Sequence, residues 1–437
     1  MFKHVSKFKF FLFLGDIIIS ALIIYPLCNL GYYLMFAVVC PLTFYIFDLY
    51  SFENYQRIRY LIKYFYTFGS AFALNVILML FLFPSYVHKI LSLKLPASLF
   101  ISVYIWHIFY FKSFRKFLKP KKAIVVNCED ESEKFIEKFK NGFIKTSEIE
   151  FIGILDSQYE REDFVPVDNQ DINKSLNHVN LLVIGHVQKM RKNLLNEVLK
   201  HLSKGVEVID LISLYEKYEY KLPLNLIDEF YILYLDLFSF KKKLYFLRLK
   251  RIIDVILAIV ILIISFPMWI IICLGIKISS PGPVLFKQER VGHNGKIFKI
   301  IKFRTMYNSL SRGGYYTTDN DQRVFPFGKI LRKFRIDELP QVINVIKGEM
   351  SFIGPRPEMV ELARIYEQHI PFYNLRHLVK PGITGWAQVN YKYGDSVEDA
   401  KKKLEYDLFY IKNLSPLLDL HILLRTIRVV LFAIGSR

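Results

Sequence analysis

Two adjacent carboxylates, Asp337 and Glu338, stand in the stretch FRIDELPQVINVIKGEMSFIGPRP, with a proline two residues further on. Acidic pairs are common on solvated helix faces, and the same dipeptide occurs at Asp130–Glu131 and at Asp228–Glu229. The context distinguishes the first pair, because Pro340 is tolerated in the first turn of a helix but not in its interior. We therefore expect a helix that starts near Asp337.

The residues that follow support this helix and suggest what its start can do. Ile336, Leu339, Ile343 and Ile346 recur at helical spacing, and Gly348 is a suitable C-terminal stop. The free N–H groups and the positive dipole end of such a helix favour a bound phosphate. Neighbouring side chains on a helix point about 100° apart, so one carboxylate can attack a substrate while the other holds a metal ion.

Basic residues suited to phosphate surround the acidic pair. Arginine binds phosphate through a planar fork, and the candidate phosphate-binding residues are Lys302, Arg304, Arg332 and Arg356. Any one of them could equally be a solvated surface cation. Arg356 stands apart because the two prolines of GPRP, at 354–357, fix the backbone around it.

The composition predicts a membrane protein. The chain has 437 residues, of which 53% are hydrophobic, and its first part holds four apolar stretches near the ~20 residues that a spanning helix needs. These predicted transmembrane stretches are Phe11–Leu30, Gly31–Leu49, Phe65–Phe83 and Pro96–Phe111. More hydrophobic segments follow the first stretch and no small-residue cleavage site does, which argues against a signal peptide.

Lysine and arginine residues give the orientation, because they favour the cytoplasmic side. They cluster before the first stretch, between the second and third, and after the fourth, as at Lys3, Arg57 and Arg115. Both ends of this block, and everything after it, are therefore expected in the cytoplasm. The net charge of +19 is better explained by anionic lipids and phosphorylated substrates than by nucleic acid. The four cysteines show no metal-ligand spacing.

The middle of the chain reads as a small Rossmann-like α/β domain. Short apolar runs, KAIVVN, FIGILD, VNLLVIG and VEVIDL, alternate with helix-like stretches, which is typical of a mainly parallel sheet. The first run leads into VNCEDESEKF, which has no glycine and carries acids where a pyrophosphate would lie. This favours a structural or regulatory module over a dinucleotide site.

A second kind of hydrophobic segment extends over Arg251–Lys277. Ser265, Phe266 and Pro267 interrupt it near its middle, and basic residues flank both of its ends. A spanning helix would place one basic cluster on the wrong side. We therefore favour a re-entrant helix with a break at Ser265–Pro267 over a kinked transmembrane helix.

The last helix, beginning at Pro416, is expected to be amphipathic and to lie in the membrane interface. His421, Arg425 and Arg428 form one polar stripe on an otherwise apolar helix.

Several ordered motifs now carry a resemblance. KRIIDVILA, SSPGPVLFKQERVG, FKIIKFRTM, the run ending in GPRP, LVKPGITGWAQVN and YGDSVEDAKKKLEYDLFYIKN resemble the bacterial sugar transferases, the polyprenyl-phosphate glycosyl-1-phosphate transferases. The match begins near Lys250, and the four-helix block and α/β domain resemble the architecture of the large polytopic members. The expected domains are therefore 1–116 (four transmembrane helices), 117–240 (Rossmann-like domain) and 241–437 (re-entrant helix and catalytic domain).

The resemblance implies transfer of a sugar-1-phosphate from a UDP-sugar to undecaprenyl phosphate, with Mg²⁺ as cofactor. Asp337 matches the nucleophile of the family and Glu338 its partner, and both are expected at the metal. The four cations named above match phosphate-handling positions, and Gln388 and Asn390 match the donor or nucleotide region. Expected partners are the two substrates and membrane lipids, with a homodimer left open and no nucleic acid. The expected location is the bacterial inner membrane, multi-pass, with the middle and catalytic domains cytoplasmic.

Two other functions compete with this phosphotransferase. An inactive membrane scaffold for polysaccharide assembly would be favoured by loss of Asp337, Glu338 or Arg356, all of which are present. A transporter would need charges along its path, but Asp16, Asp48 and His107 lie towards segment ends. The sequence does not identify the sugar.

Overall fold

A computed structural model of the chain describes residues 5–24, 39–44, 49, 57–82, 94–117, 121–126, 149–155, 179–185, 192–234, 240–307, 321–391, 394 and 396–431. The described residues divide into two compact units, Met1–Leu211 and Ile212–Arg437. The three domain ranges expected above stay a prediction.

The first unit begins with long apolar helices. They are α1 (Val5–Ile24), α2 (Arg57–Leu82) and α3 (Lys94–Phe117), with a further helical stretch at 39–44. Most of the second predicted transmembrane stretch lies outside the described residues, so the four-helix block stays a prediction.

A buried polar cluster connects the three long helices. The Nε2 atom of His107 lies 2.9 Å from Oδ1 of Asp16, and Nδ1 of the same ring contacts the hydroxyl of Tyr60. All three side chains are almost fully buried. The two ionisable residues that the sequence placed at segment ends therefore satisfy each other between helices, and Asp48 lies outside the described residues.

The first unit ends with a four-stranded parallel sheet. Its strands are β1 (Lys121–Val126), β2 (Ile149–Leu155), β3 (Leu181–Ile184) and β4 (Glu207–Asp210), in the order β2-β1-β3-β4, with α4 (Lys192–Ser203) between the last two. The parallel sheet predicted from alternating apolar runs is confirmed. The acidic loop after β1 lies outside the described residues.

The second unit contains the motifs that carry chemistry. Its helices are α5 (Leu211–Glu219), whose first residue belongs to the first unit, α6 (Glu229–Tyr234), α7 (Phe240–Ser279), α8 (Pro326–Lys333), α9 (Gln341–Lys347), α10 (Val360–His369), α11 (Trp386–Asn390), α12 (Val397–Lys412) and α13 (Pro416–Leu431). Its strands are β5 (Leu285–Val291) and β6 (Ile297–Phe303), which form an antiparallel hairpin, and β7 (Ser351–Ile353) and β8 (Gly382–Thr384), which pair in parallel.

Helix α7 is long, apolar and continuous. It contains Pro267, so the interruption expected at Ser265–Pro267 does not end the helix, although a proline at this position removes one backbone hydrogen bond. Within it, Leu244–Ser279 is the one stretch of the described chain that has the length and hydropathy to cross a membrane. Re-entry of this segment stays a prediction.

Both halves of α7 pack on the domain that follows. Ala258, in the first half, is buried with Phe298 and Val342, whereas Ile276, in the second half, is buried with Phe303 and Leu331. The opposite face is bare: Ile264 and Ile278 are 74% and 87% exposed. The helix thus packs one side against protein and leaves apolar side chains exposed on the other.

The stretch before α7 belongs to the core of the second unit. Leu222, Leu224, Ile227 and Ile232 are buried in a cluster that also contains residues of α10, α12 and α13. The indole of Trp386 donates a hydrogen bond to the carbonyl of Tyr220 at 2.7 Å. Residues between α5 and α7 therefore complete this unit rather than merely connecting to it.

Candidate active site

The acidic pair lies in a tight turn before a short helix. Arg335 adopts a left-handed conformation (φ 54°), and Ile336–Glu338 form a single 3₁₀ turn. Pro340 precedes α9 directly, and Gly348 ends it with φ 87°. The predicted stop at Gly348 is confirmed, but the α-helix begins at Gln341, so its N-terminal N–H groups follow the pair instead of coinciding with it.

Glu338 is held between two cations. Its Oε1 accepts hydrogen bonds from Nζ of Lys302 at 3.1 Å and from Nη2 of Arg356 at 2.8 Å, and its side chain is only 9% exposed. Burial opposes the ionisation of Glu338, but the charges of Arg356 and Lys302 outweigh it and hold the pKa of this carboxyl well below its usual range. Glu338 is therefore an ionised anchor for two cations.

Asp337 has a different environment. It is partly exposed, and among the described residues no side chain donates a hydrogen bond to its carboxylate. Burial and the neighbouring charge of Glu338 raise the pKa of Asp337 to about 6, although Lys302, Arg332 and Arg356 oppose this shift. Its carboxylate is available to a ligand, and it is surrounded by positive charge.

Arg332 adds a third cation on the side of Asp337. It lies on α8, and its Nε donates to Oγ1 of Thr305 at 2.8 Å. Burial lowers the pKa of Arg332, and the negative charges of Asp337 and Asp321 oppose this shift. The site therefore presents Lys302, Arg332 and Arg356 around one open carboxylate, which suits a ligand with several phosphate oxygens.

Three residues predicted for the site have other contacts in the structure. Arg304 is 4% exposed, and its Nη1 and Nη2 donate to the carbonyls of Pro281 and Ser280, both at 2.6 Å. Gln388 donates to the carbonyl of Ile383, and Asn390 contacts Trp386 and Arg425. None of these partners belongs to the acidic pair, and the roles of the three residues in the site stay predictions.

The polar stripe of α13 also faces protein. The ring of His421 packs edge-on against Trp386, and the guanidinium of Arg425 lies over the same indole. The side chain of Arg428 lies outside the described residues. Two members of the stripe are thus satisfied inside the unit, while Leu417 and Leu420 are exposed on the helix.

Sequence reasoning missed a buried ion pair behind the GPRP loop. Arg376 and Asp407 are 5% and 2% exposed, with Nη2 and Oδ2 2.9 Å apart. A signal was present, because Asp407 falls at helical spacing with Ala400, Leu404 and Ile411, which makes it an acid on a buried face. Arg376 gave no comparable signal in a chain with so many basic residues.

The carboxylates of Asp337 and Glu338 are the candidate ligands for the implied Mg²⁺. The described residues contain no group of three His, Cys, Asp or Glu side chains placed to hold a metal ion. Mg²⁺ commonly binds through one or two carboxylates, with waters and substrate phosphates completing its shell. The open carboxylate of Asp337, with Glu338 beside it, fits that mode of binding.

Comparison with known proteins identifies the family of the second unit. The profile of the family described as bacterial sugar transferase matches residues 245–433. A UDP-N-acetylgalactosamine-undecaprenyl-phosphate N-acetylgalactosaminephosphotransferase of Aeromonas hydrophila is 46% identical over 190 residues, which are 43% of this chain and 45% of the relative. The UDP-glucose:undecaprenyl-phosphate glucose-1-phosphate transferase of Escherichia coli (strain K12) is 46% identical over 183 residues, 41% and 39% of the two chains.

A shorter relative defines the family relationship. The exopolysaccharide production protein PSS of Rhizobium leguminosarum bv. phaseoli is 39% identical over 188 residues, which cover 41% of this chain and 94% of that protein. The chain therefore belongs to the bacterial sugar transferase family. The match spans less than half the length of the Aeromonas protein and of the Escherichia protein.

Proposed function

We propose that the protein transfers a sugar-1-phosphate from a UDP-sugar to undecaprenyl phosphate and releases UMP, as the initiating step of exopolysaccharide or O-antigen synthesis. The observation that carries this proposal is the open Asp337 carboxylate beside Glu338, which is itself held by Lys302 and Arg356. The names of the Aeromonas and Escherichia relatives support the substrate class.

In the first step, a carboxylate oxygen of Asp337 attacks the phosphorus that carries the sugar. The bond from this phosphorus to the bridging oxygen breaks, and UMP leaves with that oxygen and its electron pair. Lys302, Arg332 and Arg356 reduce the repulsion between the carboxylate and the anionic diphosphate and stabilise the charge that develops on the leaving group. The product on the protein is a sugar-phosphoryl aspartate.

In the second step, a phosphate oxygen of undecaprenyl phosphate attacks the same phosphorus. The bond to the Asp337 oxygen breaks, which regenerates the carboxylate and forms undecaprenyl diphosphate sugar. Two steps allow UMP to depart before the lipid phosphate reacts, so the two anions need not occupy the site together. The low pKa of Glu338 favours a permanent anchoring role for this carboxylate over proton transfer.

Asp337, with Glu338 beside it, would hold Mg²⁺ at this site. The ion would supply charge neutralisation for the diphosphate and orient it.

We also propose that α7 re-enters the membrane and returns to the cytoplasmic face. A straight 36-residue helix would extend about 54 Å, well beyond the ~30 Å hydrocarbon core. The guanidinium of Arg251, near one end, donates to the carbonyls of Val345 and Ile346, and the carbonyl of Ser280, just after the other end, accepts from Arg304. Contacts from both ends to one domain support a bent path through one leaflet, with the chain in the bacterial inner membrane.

The direct test of the function offers the purified full-length protein a panel of UDP-sugars with undecaprenyl phosphate and Mg²⁺. We expect release of UMP with at least one sugar and formation of a lipid-linked product. Release of UDP instead would indicate ordinary glycosyl transfer and would contradict the proposal, and absence of any turnover across the panel would favour the inactive scaffold.

A further inference from the structure

The GPRP loop carries Arg356 and has few backbone N–H donors, because Pro355 and Pro357 have no N–H group. The start of the loop is held by neighbouring backbone: the N–H of Gly354 donates to the carbonyl of Thr384, and the N–H of Gly382 donates to the carbonyl of Pro355, both at 2.9 Å. At the centre of the loop, the carbonyl of Arg356 accepts a hydrogen bond from Nη2 of Arg376 at 2.9 Å. The position of Arg356 therefore depends on a side chain elsewhere in the sequence.

Arg376 is fixed in turn by a buried set of partners. Its Nη2 lies 2.9 Å from Oδ2 of Asp407 on α12, and its Nη1 donates to the hydroxyl of Tyr373 at 2.5 Å. A second carboxylate, that of Glu358, lies 4.0 Å away. The planar guanidinium can bind a carboxylate and a carbonyl at the same time, which a lysine ammonium does less well.

Stability alone does not explain why an ion pair such as Arg376–Asp407 is buried in this core. The desolvation of two charges offsets much of their attraction, and apolar residues of similar volume often stabilise a core equally well. The hydrogen bond from Arg376 to the Arg356 backbone supplies such a reason, since Arg356 is one of the two cations that hold Glu338.

We propose that Arg376 and Asp407 are positioning residues for the phosphate-binding arginine: Asp407 orients the guanidinium of Arg376, which holds the Arg356 backbone so that its side chain reaches Glu338. The inference rests on the proposed function of Glu338 and Arg356. Neither Arg376 nor Asp407 touches the substrate. Their effect on rate arises through placement of Arg356, and a misplacement of about 1 Å in an active site can cost roughly 100-fold in rate.

The first test replaces the ion pair by apolar residues in the full-length protein, as Arg376→Met with Asp407→Leu. We expect unfolding at or near the wild-type temperature and a fall in kcat of roughly 100-fold. A folded double variant with wild-type kcat would overturn the proposal. The single variant Arg376→Lys, which retains the charge, provides a second measurement, and a folded Arg376→Lys protein with wild-type kcat would equally overturn it.

A double-mutant cycle separates positioning from general core packing. In an Arg356→Ala background, the change of Arg376 and Asp407 should cause no further loss of kcat, because its route of action is already removed. A full additional loss would contradict the proposal. The matched control is the ion pair between Lys412, also on α12, and Glu216, for which Lys412→Met with Glu216→Leu should leave kcat within about twofold of the wild type.

The same assay separates this inference from the proposed function. If the wild-type protein releases no UMP with any donor, the proposed function fails. If the wild type turns over and the folded Arg376→Met/Asp407→Leu protein does so equally fast, the positioning inference alone fails.

Discussion

At the scale of single residues, Asp337 and Glu338 are neighbours in sequence but not in environment. Glu338 is enclosed by Lys302 and Arg356, which hold its pKa low, whereas burial and the charge of Glu338 raise the pKa of Asp337. Two carboxylates whose pKa values are displaced in opposite directions commonly have different roles. The residue types and the proline predicted a catalytic pair, but the division of roles depends on cations from β6 and the GPRP loop.

The anchoring role of Glu338 is tested by Glu338→Gln. The amide preserves the shape but leaves Lys302 and Arg356 without their shared negative charge, so we expect kcat for UMP release to fall by about 100-fold or more. The control is Asp228→Asn, in the same dipeptide at an exposed position where the aspartate accepts a hydrogen bond from the N–H of Tyr231. Asparagine also accepts this bond, so activity should be unchanged. A Glu338→Gln protein as active as Asp228→Asn would refute the anchoring role.

At the scale of elements, periodicity predicted the secondary structure of a segment better than the contacts of its charged side chains. The four strands of the parallel sheet and the end of α9 at Gly348 follow from apolar runs and a glycine. The contacts of Arg304 could not be predicted, because its partners are backbone carbonyls that any residue type supplies. The contacts of the α13 stripe could not be predicted for a related reason, since His421 and Arg425 contact Trp386, which lies in a distant part of the sequence.

Arg304 and Lys302 should therefore respond differently to substitution. Arg304→Gln removes the two charged hydrogen bonds to the carbonyls of Ser280 and Pro281, just after α7, and should reduce the free energy of unfolding by about 2–4 kcal/mol. Lys302→Met should destabilise the protein less than Arg304→Gln does, but should abolish turnover. Thermal unfolding in detergent, measured beside UMP release, distinguishes them. An Arg304→Gln protein of wild-type stability but without turnover would instead support the phosphate-binding role predicted from the sequence.

At the scale of the whole molecule, the sequence predicted an apolar block, an α/β region and a family domain, and the family profile matches residues 245–433 within the last of these. It did not predict that the residues before α7 are part of the core of the second unit, because Leu222, Leu224 and Ile227 occur in a stretch without clear periodicity. Their burial depends on α12, which lies far along the chain.

This core contribution determines where a truncated protein can begin. Removal of everything before Lys241 would delete five buried aliphatic side chains of this cluster, those of Ile212, Leu222, Leu224, Ile227 and Ile232. Each is worth about 1.5–3 kcal/mol, so the loss is a large part of a typical stability of about 5–15 kcal/mol. We expect a protein that begins at Ile212 to fold and retain transfer, and one that begins at Lys241 to unfold or aggregate. Sedimentation and UMP release in matched detergent provide the comparison. Equal stability of both proteins would show that the core contribution is overestimated.

The path of α7 is a second question at this scale. Single cysteines placed at Lys243 and at Lys287, in a background without the native cysteines, should both be protected from an impermeant reagent added outside the cell. Labelling at Lys287 alone would show that the helix crosses the membrane.

Pro267→Leu should straighten the helix and lower turnover, because the domain after it would lose its position.

The most direct test of the central claim is a trapping experiment at Asp337. The full-length protein is incubated with Mg²⁺ and a donor that is radiolabelled in its sugar-phosphate, without lipid acceptor, and is then quenched and digested. We expect label on the peptide that contains Asp337, its removal on addition of undecaprenyl phosphate, and no label in Asp337→Asn. Full turnover by Asp337→Asn, or label on a different peptide, would contradict the assignment of Asp337 as the nucleophile.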